Sequence, residues 1–342
     1  MPNGNQHPAD RHHYVARSYL KRFADQNGRL IVYRRGRERG YTGGQWSAGF
    51  ERSLYAPEET RSVRQDDVEH LFEQIVDTPA AKLISKLAEG QKLELTERAV
   101  FARCLHIQSI RSPAARDSFM QFAASVAEDG VRTWLSEMLD DPSLLTRFNN
   151  ETGGTLDAPT IRELLESLVE QELVVEAGKD QWLSFLLEEF RDGTVPSIIA
   201  TLEWTVVEAP EDGEFLTSDC PVVHAAVHQP PAGKLGGGWN STWIETTFAL
   251  DPQHLLLLRR SDTADPAAFR RAKGERTWIG DVNRRVSTRA QAEVYLRNDT
   301  GDVARWLADS PKPSHFVDAL STGRDRIPHI RNPTVAGLAF DR

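Results

Sequence analysis

Apolar positions recur at helical spacing through the middle of the chain and at alternate positions after it. From Asp66 onward, Val68, Leu71, Phe72, Ile75, Leu83, Ile84 and Leu87 mark one helical face. Pro79 falls inside that series and predicts a kink or two abutting helices, and Gly90 closes it. The next helix is expected to carry Val100, Phe101, Cys104, Leu105 and Ile107, with Thr96 as its N-cap and Ser112-Pro113 as its stop. Residues 114–148 continue helical with a break near Asp141-Pro142. Residues 149–154 read as a loop, and helices follow over 159–176 and 180–191. After Pro196 the period shifts toward two, which predicts strands over 201–207, 215–217, 222–227, 243–249 and 255–259. The stretch around Pro230–Gly238 reads as a long hairpin loop. Residues 264–273 and 279–292 return to helix, 292–296 is a last strand, and the chain beyond Ser310 is rich in Pro and Gly. At the other end, 12–25 reads as a short helix with Tyr19, Leu20 and Phe23 on one side. A strand over Leu30–Tyr33 and a glycine-rich loop over 36–49 follow it.

That order predicts an α+β fold in which a central helical block packs against a mixed, mainly antiparallel sheet formed largely by the C-terminal half. One domain is expected over 1–342, made of a basic α/β segment (10–60), the helical block (61–195), a strand-rich block (196–300) and a tail (301–342). The strands near each end are expected to join the 200–260 sheet. Composition changes this picture little: 39% hydrophobic and 27% charged residues, with eight Trp and fourteen Phe, exclude a disordered or low-complexity chain. No apolar run approaches the roughly 18 residues of a membrane span. The first residues lack the apolar core of a signal peptide, and two cysteines without CxxC spacing make no disulfide framework, so a cytoplasmic protein with no membrane partner is expected.

Charge is more telling when divided. The net charge of −9 argues against broad adhesion to nucleic acid, yet residues 1–60 carry ten basic against six acidic residues. A solvated basic face accounts for that excess. So does an entrance for an anionic ligand such as a phosphate, with Arg17, Lys21 and Arg22 as its binding residues. Residues 151–192 hold eleven acidic and three basic residues and read as a solvated acidic surface.

Several groups offer chemistry. His12-His13 opens the segment, and on a helix His13 shares a face with Arg17; an imidazole there serves as general base or metal ligand, or simply as a cap. In Phe215–Val223 an apolar strand runs into Thr217-Ser218-Asp219, where hydroxyl and carboxylate either act on a substrate or satisfy turn N–H groups. Nothing near Cys220 lowers its pKa, so Asp219 is the functional candidate of the two. Glu69, Glu73 and Asp77 form a helical stripe that would hold a divalent metal ion through Glu69 and Asp77, or would merely face water. Arg111 lies on a largely apolar face beside Gln108 and needs an anionic partner there, for which Asp219 is the expected carboxylate. Asn283 either closes the same pocket or sits at the surface. Phosphate-loop, dinucleotide, nucleophile-elbow and zinc motifs are absent.

The motif His-His-Tyr-Val-x-Arg-x-Tyr-Leu-x-x-Phe-Ala at 12–24, Arg111-Ser112-Pro113, Phe-x-Thr-Ser-Asp-x-Pro-Val-Val at 215–223, Phe248–Pro252 and Asn283 together resemble the bacterial domain-of-unknown-function family 4238. Ala16 stands where that family has Pro, Ala249 and Asp251 where it tends to have Pro and Ser, and Asp77 where Glu is usual. The resemblance implies that His13, Glu69, Asp77, Arg111, Ser218, Asp219 and Asn283 belong together, and it implies no reaction. From the residues, the expected function is hydrolysis of a phosphoester in a nucleotide or nucleic acid, of phosphodiesterase or nuclease type, with His13, Asp219, Arg111 and Ser218 at the reaction and His13 facing one cleft with Arg111 and Asp219. The alternative is a non-catalytic ligand-binding or regulatory module using the same cluster.

Overall fold

A computed structural model describes residues 11–58, 67–151, 153, 157–170, 176–229, 238–260, 268–312 and 338–340. The chain opens with β1 (Arg11–His13), α1 (Arg17–Leu20) with a 3-10 turn to Phe23, β2 (Arg29–Arg34), β3 (Tyr41–Gly44) and β4 (Phe50–Arg52). The helical block holds α2 (Asp67–Phe72), a π-helical turn (Glu73–Asp77), α3 (Thr78–Ala88), α4 (Leu95–Ile110), α5 (Pro113–Asp140), α6 (Pro142–Glu151), α7 (Ala158–Glu170), α8 (Lys179–Asp192) and α9 (Val195–Thr201). The rest comprises β5 (Glu203–Glu208), β6 (Thr217–Ser218), β7 (Val222–Ala226), β8 (Ile244–Asp251), β9 (His254–Arg259), β10 (Phe269–Gly274), α10 (Arg276–Arg289), β11 (Glu293–Leu296), α11 (Val303–Ala308) and β12 (Leu338–Phe340). The fold is α+β.

The main sheet runs in the order β12-β10-β5-β9-β8-β7, antiparallel except for the parallel pair β10 and β5. One face carries Trp204, Val206 and Phe248 toward α4, where Phe101 meets Trp204 at 5.8 Å and Phe248 at 6.2 Å between ring centroids. A continuous buried core runs from Tyr14 to Leu307, while Leu135, Met138, Ile161 and Leu165 make a small separate one between α5 and α7.

Four expectations are corrected. Residues 12–25 are not one helix: Tyr14 and Val15 both donate to the Gly49 carbonyl, and His12 and His13 pair with Glu51 and Phe50, because aromatic and β-branched residues favour pairing when a partner strand is available. The strands expected at 30–33 and 292–296 do not join the main sheet, although a short strand of the 200–260 stretch, β6, pairs with the second of them. β2 and β11 pair with each other inside a separate sheet, order β3-β2-β11-β6, in a register that sets Arg34 opposite Glu293. Residues 269–274 form a strand, held in parallel register on β5. α4 starts at a capping box of Glu94 and Glu97 and not at Thr96. α9, with Pro196 in its first turn, meets the strand predicted over 201–207 only at Thr201. The break at Pro79 takes the form of the π turn just before it. The expected hairpin loop at 230–237 and most of the tail, 313–337, lie outside the described residues.

Candidate functional site

β1 is short and alternates. Arg11 points outward, His12 is fully buried and His13 lies between. His12 is a core residue: its Nδ1 accepts from the Tyr55 N–H at 2.8 Å and its ring stacks on Tyr55. His13 is the less buried of the two, yet only 10% of its side chain is exposed. Glu69 Oε1 accepts from the His13 backbone N–H at 2.8 Å and stands 3.5 Å from its Nδ1, while the buried Nε2 has no hydrogen-bond partner. Burial pushes the Glu69 carboxyl up, but the bonds from His13 and the nearby imidazoles outweigh it and hold the group below its ordinary value.

Asp77 ends the π turn, and the extra residue in that turn resets the helix face that follows. Its carboxylate accepts from Arg111 Nη2 at 2.7 Å, and Gln108 Oε1 accepts from the same nitrogen at 2.6 Å. The Tyr14 carbonyl takes both Arg111 Nε (3.0 Å) and Gln108 Nε2 (2.8 Å). Arg111 has no solvent exposure. Burial alone would lower its proton affinity, but the charge of Asp77 prevails and holds it above its usual value, while burial pushes the Asp77 carboxyl up against the pull of Arg111. Arg111 therefore has a carboxylate partner as expected, but it is Asp77 and not Asp219. Beside this pair lies a small pocket, with room for little more than a water molecule, lined among others by Ala16, Tyr19, Asp77, Phe101 and Gln108.

Asp219 serves a different part of the fold. Its carboxylate accepts the backbone N–H groups of Gln291, Ala292 and Glu293 at 2.9, 2.6 and 3.1 Å, which anchors the start of β11. Burial pushes its carboxyl up to about 6, against the pull of these three donors. Ser218 Oγ closes a local turn with the Cys220 N–H and carbonyl. Burial, reinforced by the charge of Asp219, raises the Cys220 thiol far from thiolate chemistry. Asn283 clips the chain entering β6, accepting from the Leu216 N–H and donating to the Glu214 carbonyl.

Tyr14 stands between the two groups: its carbonyl holds Arg111, and burial together with the charge of Asp219 raises its phenol. His13, Arg111 and Asp219 thus all neighbour Tyr14, each with its own partners. Among the expected binding residues, Arg22 is spent on the Ala81 carbonyl and Ser85 Oγ, and Lys21 is exposed. Arg17 lies 4.2 Å above the Trp46 ring, with Glu73 3.8 Å away. The three carboxylates of the Glu69–Asp77 stripe therefore each face a different basic group. A metal ion between Glu69 and Asp77 would have to displace His13 and Arg111, and no group of three or more His, Cys, Asp or Glu among the described residues is placed to hold one. Sequence reasoning missed Tyr55, whose backbone orders His12 and whose hydroxyl donates to the Arg111 carbonyl at 3.0 Å. It also missed Trp46, for which the sequence offered only a glycine-rich loop.

Among the described residues no helix is long and apolar enough to cross a membrane. The model of a protein family described as "Protein of unknown function (DUF4238)" matches residues 11–300. No curated protein and no solved structure matches the chain.

Proposed function

The chain belongs to the DUF4238 family, whose description names no reaction, and for this member we propose hydrolysis of a phosphoester with His13 as the acid–base group. The observation that supports this reading is the His13 ring: nine-tenths buried, Nδ1 facing a carboxylate, and Nε2 without a partner. Buried polar atoms are almost always paired, so an orphaned imidazole nitrogen is a place for a ligand or a proton. A carboxylate at Nδ1 favours the tautomer protonated there and leaves the lone pair on Nε2. In that state the ring takes a proton from a water attacking phosphorus and returns it to the leaving oxygen as the phosphorus–oxygen bond breaks. Glu69, held below its ordinary value, stays ionised and steadies the imidazolium between the two transfers. Arg11 and Arg17 flank His13 in the chain and draw the anion in.

The test is turnover of bis(p-nitrophenyl) phosphate and of nucleotide diesters by the full chain. His13→Gln should lower kcat by about a hundredfold or more with an unchanged melting temperature, and Glu69→Gln by less. Equal turnover by wild type and His13→Gln, or none by either, overturns the reading. A second reading, a binding module without turnover, is favoured by one fact: Arg111, Ser218, Asp219 and Asn283 are all engaged within the protein. It predicts a ligand-dependent rise in melting temperature with no product.

A further inference from the structure

The segment from Tyr41 to Phe50 presents three aromatic rings, and each has an arginine over it. Arg34 lies 5.9 Å from the centroid of Tyr41, Arg17 4.2 Å from that of Trp46, and Arg11 4.8 Å from that of Phe50. Tyr41 and Trp46 are 42% and 59% exposed, against the strong tendency of large rings to be covered. They are displayed on rigid backbone. β3 is the outermost strand of its sheet, and a turn closed by Ser47 N–H and Oγ on the Gly44 carbonyl, both at 2.9 Å, carries Trp46. Gly43, on the same strand face as Tyr41, has both the Tyr41 ring and Ser47 Oγ 3.4 Å from where a Cβ would stand, so the ring and the turn lie side by side.

We propose that this segment receives a single strand of nucleic acid, whose unpaired bases stack on Trp46 and its neighbours while its phosphates meet Arg11 and Arg17. This inference rests on the His13 reading and names its substrate class. Rings alternating with arginines suit a nucleic-acid strand because every base has a π-face and every nucleotide a charge. A duplex hides its base faces in its own stack, a sugar phosphate has no such face, and a phosphopeptide does not repeat one at every residue. Several platforms within one ten-residue segment suit successive nucleotides better than one mononucleotide. The placement relative to His13 is close. Phe50 is the strand partner of His13, and Arg17 reaches Glu73, one helical turn from the Glu69 that holds His13. The Arg17–Glu73 contact, 3.8 Å between half-exposed groups, is too weak to keep Arg17 from a phosphate. Arg34 is tied to Glu293 and serves to fix Tyr41.

The experiment is fluorescence anisotropy of short labelled oligonucleotides with the full chain at one fixed low salt concentration. Intact single strands of DNA and of RNA are compared with an abasic strand of equal length and with a duplex. The intact strand should bind about tenfold tighter than either control, and Trp46→Ala should remove that advantage while Trp46→Phe keeps most of it. The stronger of the DNA and RNA arms identifies the polymer. Equal binding of intact and abasic strands, preference for the duplex, or unchanged affinity of Trp46→Ala overturns the proposal. His13→Gln separates the two readings. Trp46-dependent binding without cleavage sinks the hydrolase and keeps the platform, and His13-dependent cleavage of a small diester with no effect of Trp46→Ala does the reverse.

Discussion

Asp219 shows how one residue type reads two ways until its partners are known. A carboxylate after an apolar strand suits catalysis, but here it receives three backbone N–H groups and joins β6 to the start of β11. An amide oxygen has less charge and fewer lone pairs, and its NH2 would face a donor. Asp219→Asn should therefore lower unfolding stability by about 2–3 kcal/mol, the cost expected for lost charge-assisted bonds in a buried site. Cys220→Ser should cost far less, since its backbone, not its thiol, makes the turn with Ser218. Urea unfolding of the two variants checks this, and a neutral Asp219→Asn would mean that the three N–H groups find other acceptors. Arg111 gives the complementary lesson. Its need for an anion was legible from an apolar helix face. The identity of that anion was not, because Asp77 lies 34 residues away on another helix.

At the scale of elements, α3 ends as its sequence demands. Gly90 has φ +78°, its N–H bonds the Leu87 carbonyl at 2.9 Å, and the Gln91 N–H reaches the Lys86 carbonyl at 2.8 Å. A Cβ at Gly90 would stand 2.4 Å from the Arg271 guanidinium of β10, the far end of a side chain that can swing aside, so the cost of a side chain here is that of the left-handed backbone. Gly90→Ala should destabilise by about 1–2 kcal/mol, with a matching fall in melting temperature. An unchanged Tm would show that the left-handed conformation relaxes. The π turn at the other end of α3 was foreshadowed only as a break at Pro79. The residues it sets apart are Glu69, facing His13 from the turn of helix before it, and Asp77, its own last residue, facing Arg111. The opposite failure befell β1. Its helical appearance came from Tyr19, Leu20 and Phe23 further on, while the strand depends on Gly49 and Phe50, which no local window contains.

At the scale of the whole molecule, burial between sheet and helices sets the response to acid. His224 on β7 has its Nδ1 2.7 Å from Thr246 Oγ1 and its ring edge-on to Trp239. Burial, with the charges of Arg289 and His106 acting the same way, lowers it to about 4. In the unfolded chain an imidazole takes its proton near pH ~6.5. Between those values the unfolded state binds more protons, so the His224 contribution is whole above about pH 6.5 and lost as the pH falls toward 4, by at most roughly 3 kcal/mol. Asp219 opposes it: its raised value adds stability as the pH falls through about 6. The measurement is thus the difference between wild type and His224→Gln across that window, in which Asp219 cancels. The variant should lose less stability on acidification, and parallel curves would show that His224 is hydrated in solution.

The sequence by itself determined the α+β class, the helical block, most strands after Pro196 and the concentration of positive charge near the N-terminus. All of these follow from local periodicity, turn residues and counting, which need no partner. It also marked His13, Arg17, Glu69, Asp77 and Arg111 as polar groups out of the ordinary. Tertiary structure alone decided what each of them faces, that β2 and β11 leave the main sheet for one of their own, and that Trp46 stands exposed under Arg17, whose partner Glu73 is one helical turn from Glu69. The physical reason is common to all three. Strand pairing, ion pairing and ring stacking are chosen among residues far apart in the chain, by which surfaces the packed core brings within a few ångströms.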